Sequence, residues 1–294
     1  MHYVRWFLLT VLVCAAAGCG RFGNSGAAPA ADRIVCISQV YAEMMYALGV
    51  QDRLVAVDYS STWPPEIRKL PTVGYHRALS TEGILSMRPT LVLHDNNIGP
   101  PQVVEQLEQL NVPMKTFEAK AGSLEGAKQL LREMGAYFHA EQKAEELCAK
   151  LDRDMAAALE HAKQYTDHPR VAVIHFGRAS NVYMVVGSGG RGDGAAASRM
   201  IEWAGGKMAV DRPGMQRMAS PEVIAQINPE IILMTEYGYD RLGSNEQAMT
   251  LPGVAQTDAA RNGRIYRIPE HELMYFGPHT GENVDKLARL LHGR

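Results

Sequence analysis

From position 33 the chain alternates short apolar runs with longer amphipathic stretches. RIVCIS reads as a buried strand, VYAEMMYALG as a helix ending on Gly49, and RLVAVD as a second strand. LVLH, the helical PPQVVEQLEQL and then VPMKTF continue the alternation. A second series starts at Arg170. RVAVIHF and VYMVV read as strands, GAAASRMIEWAGG as a helix, EIILMT and RIYRI as strands, and a last helix covers about 281–291. Strands and helices in this order predict an α/β fold. Between the two series lies a helical stretch over residues 123–165. As one straight helix at about 1.5 Å per residue it would run roughly 60 Å, too long for a compact lobe. We therefore expect a break near His139, with the second piece a stiff strut joining two lobes.

An internal repeat supports the two lobes independently. GYHRALSTEGILSMRPTLVL, residues 74–93, aligns without gaps on GMQRMASPEVIAQINPEIIL, residues 214–233, with seven identities in 20 positions at a constant offset of 140. Gly74 matches Gly214, Arg77 matches Arg217, Ser80 matches Ser220, Glu82 matches Glu222, Ile84 matches Ile224 and Pro89 matches Pro229. Each copy reads as a loop, a Ser N-cap, a short helix and a Pro-led strand. Pro221 takes the first helical position, where its missing N–H costs nothing. Two similar lobes facing each other make a cleft, the usual place for a small ligand.

The N-terminus does not share this pattern. Arg5 is the only formal charge in the first 18 residues, and residues 6–17 are almost wholly apolar. That run is too short for a bilayer span, which takes about 20 residues, and reads as a signal-peptide core. It closes on AAGC, which resembles a lipobox with Ala16 in place of the usual Leu, and Cys19 would then carry lipid. The other reading is a plain secretory signal with an incidental cysteine. The Gly, Ser, Ala and Pro composition of the segment that follows is that of a flexible tether. The expected organisation is a signal at 1–18, a tether at 19–32, a lobe at 33–122, a helical segment with the strut at 123–168, and a second lobe at 169–294. Of the cysteines at 14, 19, 36 and 148, processing leaves Cys36 and Cys148 in the folded part, more simply two buried thiols than a bridge. A net charge of -2 with no strongly basic stretch argues against nucleic acid as a partner.

Several segments together, ALGVQDRLVAVD, LPTVGYHRALSTEGILSMRPTLVL, GSGGRGDGAAASRMIEWAGGKMAV, SPEVIAQINPEIILM, LPGV at 251–254 and FGPH at 276–279, carry a family likeness across nearly the whole mature chain. The chain resembles the bacterial periplasmic heme-binding proteins, the solute-binding components of hemin importers. The SxE helix with its Pro-led strand is common to the wider siderophore and cobalamin binders, and the GYHRALS loop and long GSGG segment narrow the likeness to heme. The resemblance implies two Rossmann-like lobes joined by a long rigid helix, with heme in the cleft. It further implies a monomer in the cell envelope, lipid-anchored and facing the periplasm or the extracellular side, that delivers its ligand to an ABC importer permease. A ferric siderophore or cobalamin is the alternative ligand.

Ferric heme iron accepts a phenolate oxygen or an imidazole nitrogen. Tyr75 sits where the family's GY loop places its axial tyrosine. His76 follows it and could take over the iron or add a bond to it, but adjacent side chains diverge on extended backbone, so a solvent-facing histidine is the fate expected there. The repeat makes Met215 the counterpart of Tyr75 across the cleft, as a thioether ligand or as apolar lining. His175 and Arg178 lie after the first strand of the second lobe, where α/β folds bind ligands, and His175 is the rival iron ligand. Arg77, Arg178 and Arg217 are candidate partners for the heme propionates, although the duplication of Arg77 in Arg217 also suits a structural contact. Glu82 and Glu222 fall in the first turn of matching helices, where a carboxylate suits the helix dipole. In the family such acids meet arginines of the permease.

One motif points elsewhere. Gly187, Gly189 and Gly192 form GxGxxG between a strand and a helix, the context of dinucleotide binding and of an oxidoreductase. The acid expected about 20 residues on is missing, because Glu202 falls inside the helix. A glycine-rich cleft loop is the reading we carry forward. No GxSxG, HExxH or paired CxxC motif is present, so no enzyme is expected.

Overall fold

The protein is described from a computed structural model that covers residues 32–178, 181–186, 193–210, 214–218 and 221–293. In chain order the first half comprises β1 (Ile34–Ile37), α1 (Gln39–Ala47), β2 (Leu54–Val57), α2 (Thr81–Ser86), β3 (Leu91–His94), α3 (Pro101–Gln109), β4 (Met114–Lys115), α4 (Leu124–Phe138) and α5 (Glu141–Ala162). The second half comprises β5 (Arg170–Arg178), β6 (Asn181–Val186), α6 (Asp193–Trp203), β7 (Lys207–Met208), β8 (Gly214–Met218), α7 (Pro221–Ile227), β9 (Ile231–Thr235), α8 (Glu236–Leu242), α9 (Asn245–Ala248), α10 (Asp258–Arg261), β10 (Ile265–Ile268) and α11 (Thr280–His292).

The first sheet has the order β2-β1-β3-β4, all parallel. The second has the order β10-β9-β5-β6-β8 with β7 also on β5. Its β10, β9, β5 and β7 are parallel, whereas β6 and β8 run antiparallel. The central strands β1 and β9 are buried along their whole length, as helix-covered parallel strands must be. Each sheet belongs to one lobe of the α/β fold.

The repeat is visible as geometry. Ser80 accepts the Gly83 N–H at 3.0 Å and caps α2. Arg88 and Asn228, both ahead of the repeat's proline and both 140 apart, take left-handed backbone at φ 50° and 42°. Each lobe adds an arginine that the alignment did not reach. Arg33 donates to the Met87 and Arg88 carbonyls at 2.7 and 3.0 Å, and Arg170 donates to the Ile227 and Asn228 carbonyls at 2.7 and 2.5 Å. The same orphan carbonyls at the helix C-terminus are thus met by a cation just before β1 in one lobe and at the start of β5 in the other.

Two expectations need correcting. The loop of the second repeat copy is a strand, β8, because residues 214–218 find an antiparallel partner in β6 and the first lobe has no equivalent of β6. VPMKTF forms only two residues of strand; Phe117 then turns inward, its ring edge-on to Tyr41 and its N–H donating to the Tyr41 hydroxyl.

The helical stretch breaks at His139, whose left-handed φ of 60° ends α4. The strut α5 is 22 residues, about 33 Å long at 1.5 Å per residue. It buries Ala144, Leu147, Leu151, Met155 and Ala158 against α4 and α11. One continuous apolar core runs from Ile34 in β1 through this helical layer to Leu291 in α11. Cys36 and Cys148 are both free thiols within it.

Candidate functional site

The C-terminal strand edges of the two sheets meet at the lobe junction. Thr62 donates to Glu236 at 3.0 Å, and Arg68 lies 3.6 Å from the same carboxylate. Trp63 stacks on His271 at 4.2 Å, and Gly277 lies against the buried Glu43 carboxyl. Exposed tyrosines flank these contacts: Tyr59 and Tyr75 on the first lobe and Tyr237 on the second.

On the first lobe, Asp58 directly follows β2 and is fully buried. Its carboxylate accepts the Ser61 hydroxyl at 2.6 Å, the Ser60 N–H at 3.0 Å and the Ser60 hydroxyl. The Tyr59 N–H donates to the Gly74 carbonyl at 2.8 Å, which draws the GYHRALS loop alongside. That loop is tied to the one after β3: Gly99 N–H donates to the His76 carbonyl at 2.8 Å, and Leu79 N–H to the Gly99 carbonyl at 3.0 Å. Tyr75, held on this double loop, is 46% exposed.

His76 is not solvent-facing as its position suggested. Its side chain is only 15% exposed, because it folds back onto the buried carboxylate, with Nδ1 3.4 Å from Asp58 Oδ2. The Tyr75 ring leans on it, centroids 4.2 Å apart. Arg77 donates through Nε to Asn97 Oδ1 at 2.9 Å, which ties the two loops together.

On the second lobe, the ladder between β5 and β6 shifts register between Ile174 and Phe176, and His175 sits at this irregularity. Bulges of this kind re-aim a side chain. The Thr235 hydroxyl donates to the His175 carbonyl at 2.9 Å, so its 3.1 Å contact with Nδ1 requires that nitrogen to carry the proton. Glu270 lies 3.5 Å from the same nitrogen. Burial, and then the Arg241 charge, push the imidazole below its ordinary pKa, so His175 is neutral at pH 7. Its ring stacks on Tyr237 at 5.2 Å, and Arg241 lies over the other ring at 3.6 Å. A Cβ on Gly238 would come within 2.3 Å of the His175 carbonyl, so glycine is what lets α8 approach. Phe176 and Tyr183, stacked at 4.3 Å, extend the aromatic wall.

The structure thus gathers Tyr75, His76 and Arg77 on one loop and sets His175 on the other lobe. Glu82 and Glu222 are exposed in the first turns of α2 and α7. Cys19, Gly187, Gly189, Gly192, Ser220 and the side chains of Arg178, Met215 and Arg217 lie outside the described residues. Asp58, Asn97, Tyr237, Thr235 and Glu270 went unnoticed in the sequence. Tyr237 and Asp58 were within reach, since both follow strand ends, the rule that singled out His175.

Residues 34–272 match the periplasmic binding protein family, and the chain belongs to it. It is similar to the Bacillus subtilis ABC transporter substrate-binding lipoprotein YvrC, 25% identical over 88% of this chain and 80% of that one. Among solved structures, the periplasmic heme-binding protein RhuT from Roseiflexus sp. RS-1, in apo form, superposes with a TM-score of 0.79 at 31% identity, covering 90% of this chain and 98% of that one. The periplasmic heme-binding protein BhuT in complex with two hemes gives 0.76 at 28%, covering 89% and 98%.

Proposed function

We propose that this chain is a solute-binding lipoprotein of the cell envelope that captures heme between its lobes and hands it to the permease of an ABC importer. The observation that carries the reading is an exposed phenol, Tyr75, standing on a cross-tied loop at the lobe junction, in a chain whose structural relatives RhuT and BhuT are heme-binding proteins. A phenolate is a hard anionic donor suited to ferric iron, and the tyrosine and phenylalanine rings on both lobes suit a flat apolar macrocycle. Tyr75 is the iron ligand and His175, neutral, is the second candidate.

Arg178 and Arg217 pair with the heme propionates; Arg77, engaged with Asn97, serves the loop first. Met215 lines the cleft. Glu82 and Glu222 dock to the permease, and Cys19 carries the lipid that holds the chain, a monomer, at the membrane. The chain is a carrier and not a catalyst, and the boundaries at 33–122, 123–168 and 169–294 mark its lobes and strut. Hemin titrated into the purified protein should give a saturable Soret shift, with cyanocobalamin and NADH giving no response. An unchanged hemin spectrum would remove the reading.

A further inference from the structure

The hydrogen bonds around His76 decide which of its nitrogens carries the proton, and they decide it twice. Arg77 has only donors, so the Asn97 atom it meets at 2.9 Å is the carbonyl oxygen, and the Asn97 amino group is the atom facing His76 Nε2 at 3.2 Å. That nitrogen is therefore an acceptor and unprotonated. On the other side, Ser60 gives its one hydroxyl proton to Asp58. Its 3.3 Å contact with His76 Nδ1 then needs Nδ1 to donate, and Asp58 stands 3.4 Å away to receive as well. Both ends fix the Nδ1–H tautomer, and the only lone pair able to bind a metal, on Nε2, is covered by the Asn97 amide.

We propose that Asn97 is a specificity-determining residue of the heme site. By covering His76 Nε2 it withholds the imidazole from iron and leaves ligation to Tyr75, whose ring lies 4.2 Å from the His76 ring. The inference rests on the reading that Tyr75 meets heme iron. Arg77 acts through Asn97 as a positioning residue, orienting its amide, and Asp58 acts through Nδ1 in the same way.

The test compares hemin-loaded wild type with Asn97→Ala by absorption and electron paramagnetic resonance at neutral pH. The variant should lose the tyrosinate charge-transfer band in part or whole and gain a low-spin, nitrogen-ligated signal. The double variant Asn97→Ala/His76→Gln should return to the wild-type spectrum, which a general disturbance of the loop would not do. A wild-type tyrosinate signature that is unchanged in Asn97→Ala overturns the masking while leaving the heme reading intact. A wild type without any tyrosinate signature overturns the Tyr75 reading and the masking with it. The ligand-free protein gives a separate check: the ring nitrogens of His76 should show the Nδ1–H tautomer by nitrogen NMR, and Asn97→Ala should keep it, since Ser60 and Asp58 still hold Nδ1. An Nε2–H ring in the wild type overturns the inference whatever hemin does.

Discussion

Two buried residues at the lobe junction hold protonation states set by burial, and they give stability opposite slopes with pH. Burial raises the Glu43 carboxyl to about 8, so the folded protein keeps it neutral where the unfolded chain ionises it. Its contribution to stability is full below the ordinary carboxylate value and is lost as pH rises through about 8. His271 is pushed down to about 4 by burial, with Lys286, His279 and Arg68 adding to it, and its Nδ1 has no hydrogen-bond partner among the described residues. Its contribution is full above the ordinary histidine value and is lost as pH falls through about 4. Thermal unfolding should therefore show Glu43→Gln raising Tm by several degrees at pH 8 with little change at pH 4.5. His271→Phe, which keeps an aromatic ring against Trp63, should soften the acid side alone. Parallel shifts at all pH values would contradict this assignment. Residues of this kind were illegible in the sequence: Glu43 lies on a short amphipathic helix like any surface acid, and only the packing of Gly277 shows that it is enclosed. Tyr75 was legible because a family loop carries it. Its supports, Asp58 and Asn97, both reach His76 through side chains, from 18 and 21 positions away, and such contacts leave no periodic trace.

At the scale of elements, the repeat was the strongest signal in the chain, and most of its geometry followed: matching helices α2 and α7, matching strands β3 and β9, and matching left-handed residues before proline. Arg33 and Arg170 escaped the alignment because they stand outside the repeated segment and are brought to it by strand pairing. The departure at β8 has the same origin, since β6 is an insertion of the second lobe alone. The duplicated Glu82 and Glu222 are both exposed in the first turns of matching helices. Their duplication on two lobes therefore suits one paired contact with a permease. Changing both to Arg should abolish transporter-dependent hemin uptake while hemin binding in solution stays within about twofold. Uptake equal to wild type would remove the docking role.

For the whole molecule, the strut and its neighbour α11 make the lobes one body. A Cβ on Gly281 would meet the Asp154 and Met155 backbone of α5 at 2.6 Å, so the two helices touch through glycine. Gly281→Val should separate them and lower stability by about 1–3 kcal/mol, the usual cost of overpacking, measurable as a reduced denaturant midpoint with an unchanged slope. An unchanged midpoint would show that the strut tolerates the gap. The break at His139 and the strut itself were readable from helix length and composition. That the core runs unbroken from β1 to α11 was not, because patterning reports which face of an element is buried but not what buries it.

The most direct test of the account is the spectrum of hemin bound to wild type and to Tyr75→Phe under identical conditions. Wild type should bind with the charge-transfer bands of tyrosinate-ligated ferric iron, and Tyr75→Phe should lose those bands and weaken binding at least tenfold, about 1.4 kcal/mol. Retention of the same bands and affinity in Tyr75→Phe would contradict the assignment of iron to this loop.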